Sequence, residues 1–166
     1  MTYQIAQGVQ VSLDYNPSTG TGTWYKLSDH NRQPLNITYS LIESTDRMAN
    51  GTLRKYIVAK KFIISADWKD LPTIDSNVVD YSSDAHGASW IKAFYEGNSF
   101  NPIYVKLMFA LETPVQNGIP LSSTYLDSKS TTGQIYNAYM TTFTYNVTKR
   151  RQGFDYVDLK IEFTEI

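Results

Sequence analysis

The sequence predicts a mainly β protein, an antiparallel β-sandwich or barrel with one packed α-helix. Three observations predict it. Apolar residues alternate with polar ones over several stretches of the 166-residue chain, and side chains that alternate faces with a period of two mark half-buried strands. One stretch alone has helical spacing. Thirteen tyrosines within an aromatic share of 14% belong to the residue types that strands favour. Strands, then one helix, then strands describe a β core with a helix laid against it.

The elements follow in order. Val9, Val11, Leu13 and Tyr15 alternate with Gln10, Ser12 and Asp14 as a first strand, closed by the turn cluster at residues 16–20. Residues 23–27 form a short second strand. Pro34 opens a third, with Leu35, Ile37, Tyr39 and Leu41 in phase, and residues 46–51 read as a polar break. In the strand over residues 52–68, Phe62, Ile64, Ala66 and Trp68 hold one face; Ile63 interrupts the alternation, so part of it is covered on both sides. Pro72 opens a loop over residues 71–83.

A helix is expected over residues 84–96, capped by Ser83 or Asp84 and ended by Gly97, with Ala88, Ile91, Phe94 and Tyr95 as its apolar stripe. At three turns it is too short to stand alone and must lie on the sheet. Another strand runs over residues 103–111. Residues 113–133, rich in Ser, Thr, Gly and Pro, read as a long loop of the kind that is often functional.

Residues 136–166 close the chain as a long two-faced hairpin. Val157, Leu159, Ile161 and Phe163 share one face, with Tyr139, Phe143, Tyr145 and Val147 in the same phase on the strand before. Matching faces requires opposed residues to sum to an even number. A sum near 302 sets Tyr145 against Val157, Phe143 against Leu159 and Tyr139 against Phe163, with the turn over Arg150, Arg151 and Gln152 and Gly153 at its exit. Both strands exceed the usual five or six residues, so the hairpin is expected to do more than close a core.

Composition narrows function. The length matches one domain. A hydrophobic share of 42%, a charged share of 19%, a net charge of −1 and a pI near 6.1 describe an ordinary soluble protein with no global field for nucleic acid or anionic membrane. With no cysteine, thiolate catalysis, disulfides and cysteine metal sites are excluded. Residues 1–9 lack the basic and apolar regions of a signal peptide, and no apolar run approaches a membrane span.

Motifs for chemistry are missing as well. His30 and His86, the two imidazoles, stand in turn-like surroundings outside any H-E-x-x-H arrangement. There is no G-x-S-x-G elbow and no Walker A sequence. Gly20 and Gly22 lack the third glycine of a dinucleotide fingerprint, and Asp14, Asn16 and Ser18 lack the glycine position and closing glutamate of a calcium loop. The acids Asp67 and Asp70 have no supporting constellation. The sequons at Asn36, Asn50 and Asn146 are expected to be unused. No enzyme activity, cofactor or metal is therefore expected.

Two basic clusters remain: Arg54, Lys55, Lys60 and Lys61 beside the central strand, and Lys149, Arg150 and Arg151 at the hairpin tip. Charged tips and edges suppress strand-to-strand aggregation. The tip cations, with Tyr156 and the even-numbered hairpin face (Thr142, Thr144 and Lys160), are also the candidate subunit contact.

Several segments carry a resemblance: the run from Arg47 through Thr52 into Arg54, Lys55 and Tyr56, the strand ending at Asp67 and Trp68, the helix from Trp90 to Tyr95, and the closing run from Phe143 to Arg150 and from Gly153 to Glu165. Together they cover most of the chain, and it resembles structural proteins of tailed bacteriophages, small tail or baseplate proteins with the tail-tube type of β-sandwich. The resemblance implies a virion protein that assembles in the host cytoplasm into a homo-oligomeric ring or tube. Its partners are then itself and other tail proteins. DNA passes through the assembly without sequence-specific recognition, and no membrane is involved. The rival reading is a carbohydrate- or ligand-binding β-sandwich module, to which Trp24, Tyr25, Tyr125 and Tyr136 contribute stacking surfaces.

Overall fold

A computed structural model of the chain describes residues 8–77, 84–107, 115–116, 119–120 and 134–166. The protein is mainly β with one helix. Ten strands occur among these residues: β1 (Val9–Ser12), β2 (Tyr25–Leu27), β3 (Asn36–Arg47), β4 (Leu53–Pro72), β5 (Ala85–His86), β6 (Ile103–Leu107), β7 (Val115–Gln116), β8 (Ile119–Pro120), β9 (Gln134–Arg151) and β10 (Phe154–Glu165). Eight of them form one mixed sheet in the order β3-β4-β10-β9-β6-β1-β2-β5, antiparallel except for β2 against β5. β7 and β8 make a small separate hairpin inside the segment expected to be loop; the rest of residues 113–133 and residues 108–111 lie outside the described residues.

The core follows the alternation on the middle strands. Ile64, Ala66 and Trp68 on β4 and Val157, Leu159, Ile161 and Phe163 on β10 are all buried, and β6 and β1 add Ile103, Val105, Leu107, Val9 and Val11. The Trp68 indole N–H donates to the Ser28 carbonyl, so its one polar atom is satisfied. β1 departs from the expected two-faced strand: it ends at Ser12, and all four of its residues are buried. Gln10 and Lys106, paired across β1 and β6, lie on the face away from the apolar core. There Lys106 is held over the Trp24 ring at 4.3 Å, and burial pushes its ammonium pKa down.

The helix α1 (Ala88–Asn98) starts after Gly87, and its buried residues are Ala88, Ile91 and Phe94, which belong to the stripe read from the sequence. Neither Ser83 nor Asp84 is the N-cap. Asp75, in a 3₁₀ turn after β4, accepts a hydrogen bond from the Gly87 N–H at 2.6 Å. A side chain at Gly87 would meet the Pro72 carbonyl at 2.7 Å, which explains a glycine where the chain passes so close. Gly97 lies within the helix. Tyr95 stacks on Phe143 of β9 at 4.4 Å, fixing α1 against the sheet.

The closing hairpin has the expected core face on β10 but a different register, and on β9 Val147, expected in the core, is exposed. Tyr145 opposes Leu159, Phe143 opposes Ile161 and Val147 opposes Val157, one pleat from the sum of 302. The turn is shorter than expected, with Arg151 and Phe154 already paired and Gly153 at φ +91°. Two irregularities then place extra residues on β9. The ladder passes over Thr148 between Tyr156 and Val157, and over Thr141 between Glu162 and Phe163. The second bulge exchanges the faces, because a one-residue slip reverses every side chain beyond it. Met140 and Ala138 therefore enter the core, and Tyr139, expected there, turns to solvent.

Candidate interaction surface

β10 is paired on both sides, to β4 and to β9. The closing hairpin is thus the middle of the sheet, and its tip is tied down. Asp70 of β4 accepts a hydrogen bond from the Thr148 hydroxyl at 2.8 Å and lies 3.8 Å from the Lys149 ammonium. It sits at φ +50° where β4 bulges against β10, with its N–H bonded to Asp158. A non-glycine residue in that conformation is held by its surroundings.

The seven residues read as a candidate contact fall into separate groups. Lys149, Arg151 and Tyr156 line one open groove of about 260 Å³ together with His30, Asn31 and Asp70. The Arg151 guanidinium lies 5.7 Å from the Tyr156 ring. Thr144 and Lys160 oppose each other beside Asp67 in a second groove of about 220 Å³. Thr142 hydrogen-bonds Glu162, Lys160 lies 3.0 Å from Glu162, and Arg150 opposes Asp155. The Lys160 and Thr142 hydrogen bonds hold the Glu162 carboxyl below the usual carboxylate range, and Glu162 raises the Lys160 ammonium in return. This is a compensated polar face.

The unexplained surface is elsewhere. β3 and β4 form a hairpin whose outer half leaves the body. Met48 and Thr52 close its tip, Gly51 takes φ +81°, and the residues read as a polar break are this turn. From Leu53 to Lys61 the arm spans about 30 Å at about 3.3 Å per residue. Both of its faces carry apolar side chains in water. Tyr39, Leu41, Leu53 and Ile57 belong to one set of cross-strand partners, Ile42 and Tyr56 to the other, and Val58 is the bulged residue between them. Ile57 is 58% exposed and Val58 78%. Of fourteen exposed large hydrophobics among the described residues, eight lie between Tyr39 and Val58. Monomeric surfaces rarely concentrate apolar residues in this way.

The arm is also cationic. Residues 36–61 hold Arg47, Arg54, Lys55, Lys60 and Lys61 against Glu43 and Asp46. Lys55 pairs with Glu43 at 2.6 Å, and Lys60 lies over the Tyr39 ring at 3.9 Å. The sequence reading singled out four of these cations as edge protection and did not pair the two strands. The signal was present: cross-strand partners Ile37 to Leu41 and Lys60 to Ile64 keep one constant sum around a turn containing Asn-Gly.

At the opposite edge of the sheet, Tyr25 of β2, His86 of β5 and Trp90 of α1 form an aromatic cluster. His86 stacks on Trp90 at 4.0 Å, and Tyr25 lies 5.2 Å from Trp90. His86 Nδ1 is 2.8 Å from Asp75, while the nearby Asp84 pairs with Lys26 at 3.2 Å. The aromatics assigned to a ligand platform do not converge: Trp24 covers Lys106, Tyr25 joins Trp90, and Tyr136 packs on Phe62. Tyr125 lies outside the described residues. Among the described residues no cluster of three or more His, Cys, Asp or Glu could hold a metal, and no helix is long and apolar enough to cross a membrane.

No family model matches the chain, and no curated protein matches it. Among solved structures it is similar to a chain in the tail of an empty GTA particle with C6 symmetry, at a TM-score of 0.46 and 10% identity, over 96% of this chain and 90% of that one.

Proposed function

We propose that this protein is a structural subunit of a phage-like tail that assembles with copies of itself into a ring or tube. The observation that carries self-assembly is the β3–β4 arm, which exposes apolar side chains on both faces and meets no core to bury them among the described residues. The tail context comes from the sequence resemblance described above. The reading places the protein in a virion tail built in the host cytoplasm, with other tail proteins as further partners and DNA as passing cargo. Its action is assembly, without bond chemistry.

Thr142, Thr144, Lys149, Arg150, Arg151, Tyr156 and Lys160 are proposed as a secondary contact, since their ion pairs and hydrogen bonds within the chain already satisfy several of them. Light scattering after size exclusion, with negative-stain microscopy, tests the reading. Rings or tubes are expected. A protein that stays monomeric at high concentration, and binds a glycan array instead, would establish the carbohydrate-binding module.

A further inference from the structure

The sheet order puts the cationic arm and the aromatic cluster at opposite edges of one molecule. β3 ends the sheet on one side and β5 on the other. Their chemistry is complementary. Between Lys69 and Lys92 the chain carries Asp70, Asp75, Asp80 and Asp84 and no Lys or Arg. Of these, Asp75 bonds His86, and Asp84 pairs with Lys26, the residue after Tyr25 on β2. Across the whole chain the net charge is −1, although the arm has five cations and two acids, so the remainder is acidic.

We propose that the arm tip of one copy seats on this aromatic, acidic edge of the next, with Arg54 and Leu53 against Trp90, Tyr25 and Asp84. A guanidinium over aromatic faces beside carboxylates combines cation–π attraction with charge-assisted hydrogen bonding, and Leu53 gains apolar cover. The contact is heterologous: different surfaces meet, and repetition yields a closed ring or an open helix according to the rotation per step. This assignment rests on the self-assembly reading above and specifies which surface receives the arm.

The chain has no cysteine, so engineered thiols report the contact cleanly. Leu53→Cys and Asp84→Cys are made as separate full-length variants and oxidised alone and mixed. The mixture is expected to give a disulfide-linked dimer that neither variant gives alone. In parallel, Arg54→Asp and Asp84→Arg are each expected to weaken association about tenfold in sedimentation, with recovery when both are in one chain. Circular dichroism confirms that each variant is folded.

Leu53→Cys cross-linking with itself would show arm-to-arm contact and overturn the proposal. Wild-type rings with no mixed cross-link and no effect of either charge reversal would overturn it while leaving self-assembly standing. A wild-type protein with no association at all would overturn both.

Discussion

The double substitution Ile57→Thr, Val58→Thr separates the two jobs a strand residue can have. Threonine keeps the β-branch and therefore the strand preference of the originals. In the monomer these side chains are 58% and 78% exposed, so the new hydroxyls stay hydrated and the change in folding stability should be within about 0.5 kcal/mol. In a contact that covers the arm, each hydroxyl without a partner costs about 1–3 kcal/mol. Two of them give at least about 2 kcal/mol, or about thirtyfold weaker association. Urea unfolding measured at low concentration reports the first quantity and sedimentation velocity the second. Association unchanged from wild type would remove the arm from the interface. A clear loss of monomer stability would mean that the arm packs on its own chain, and the reasoning from exposure would fail.

Neighbours on β10 should behave oppositely. Leu159→Asp buries a charge in the core and should cost more than about 4 kcal/mol, whereas Lys160→Ala should leave the thermal melt close to wild type; equal losses would mean both faces are buried. Asp70→Ala removes the Thr148 hydrogen bond and keeps the positive φ, so it should destabilise by about 1–2 kcal/mol more than Asp70→Gly, which relaxes that strain, as read by paired melts. Glu162 has a folded-state pKa below its usual 4.5. Its stabilisation is therefore present above pH 4.5 and lost as pH falls through the lowered value. Glu162→Gln should flatten the acid limb of a stability–pH profile; an unchanged limb would show that other carboxylates control it.

The buried face of β10 was legible because nothing interrupts its alternation: Val157, Leu159, Ile161 and Phe163 are all in the core. β9 was less legible. Its bulges fall at Thr148 and Thr141, and threonine is equally at home paired or bulged, so the sequence offers no mark of the phase change that moves Met140 inward and Tyr139 outward. The helix stripe could be read, but its start could not, because the group that binds the Gly87 N–H is Asp75, twelve residues earlier. The contact site was harder still. Lys149 and Arg151 are recognisable as exposed cations, yet the anchoring of Lys149 and its neighbour Thr148 depends on Asp70, nearly eighty residues away. The arm was misread for a related reason. Ile63 breaks the alternation and reads as part of a strand covered on both sides, and only the pairing with β3 reveals that the fold ends before it reaches Tyr56, Ile57 and Val58.

An exposed apolar hairpin is a hazard unless something limits where it sticks. β3 presents an outer edge, unpaired among the described residues, over Asn36–Arg47, and open edges recruit other strands. Two features of the arm restrain this. Val58 bulges and twists the ladder, which spoils flat edge-to-edge stacking. Five cations repel a second arm brought alongside, because like charges set opposite each other oppose pairing. The same charges are harmless or favourable against an acidic surface. The apolar residues thus give the arm its tendency to be covered, and the cations bias that cover away from another arm and toward a different face of the next copy. A contact between unlike faces can propagate around a ring, and a self-complementary arm would stop at a dimer.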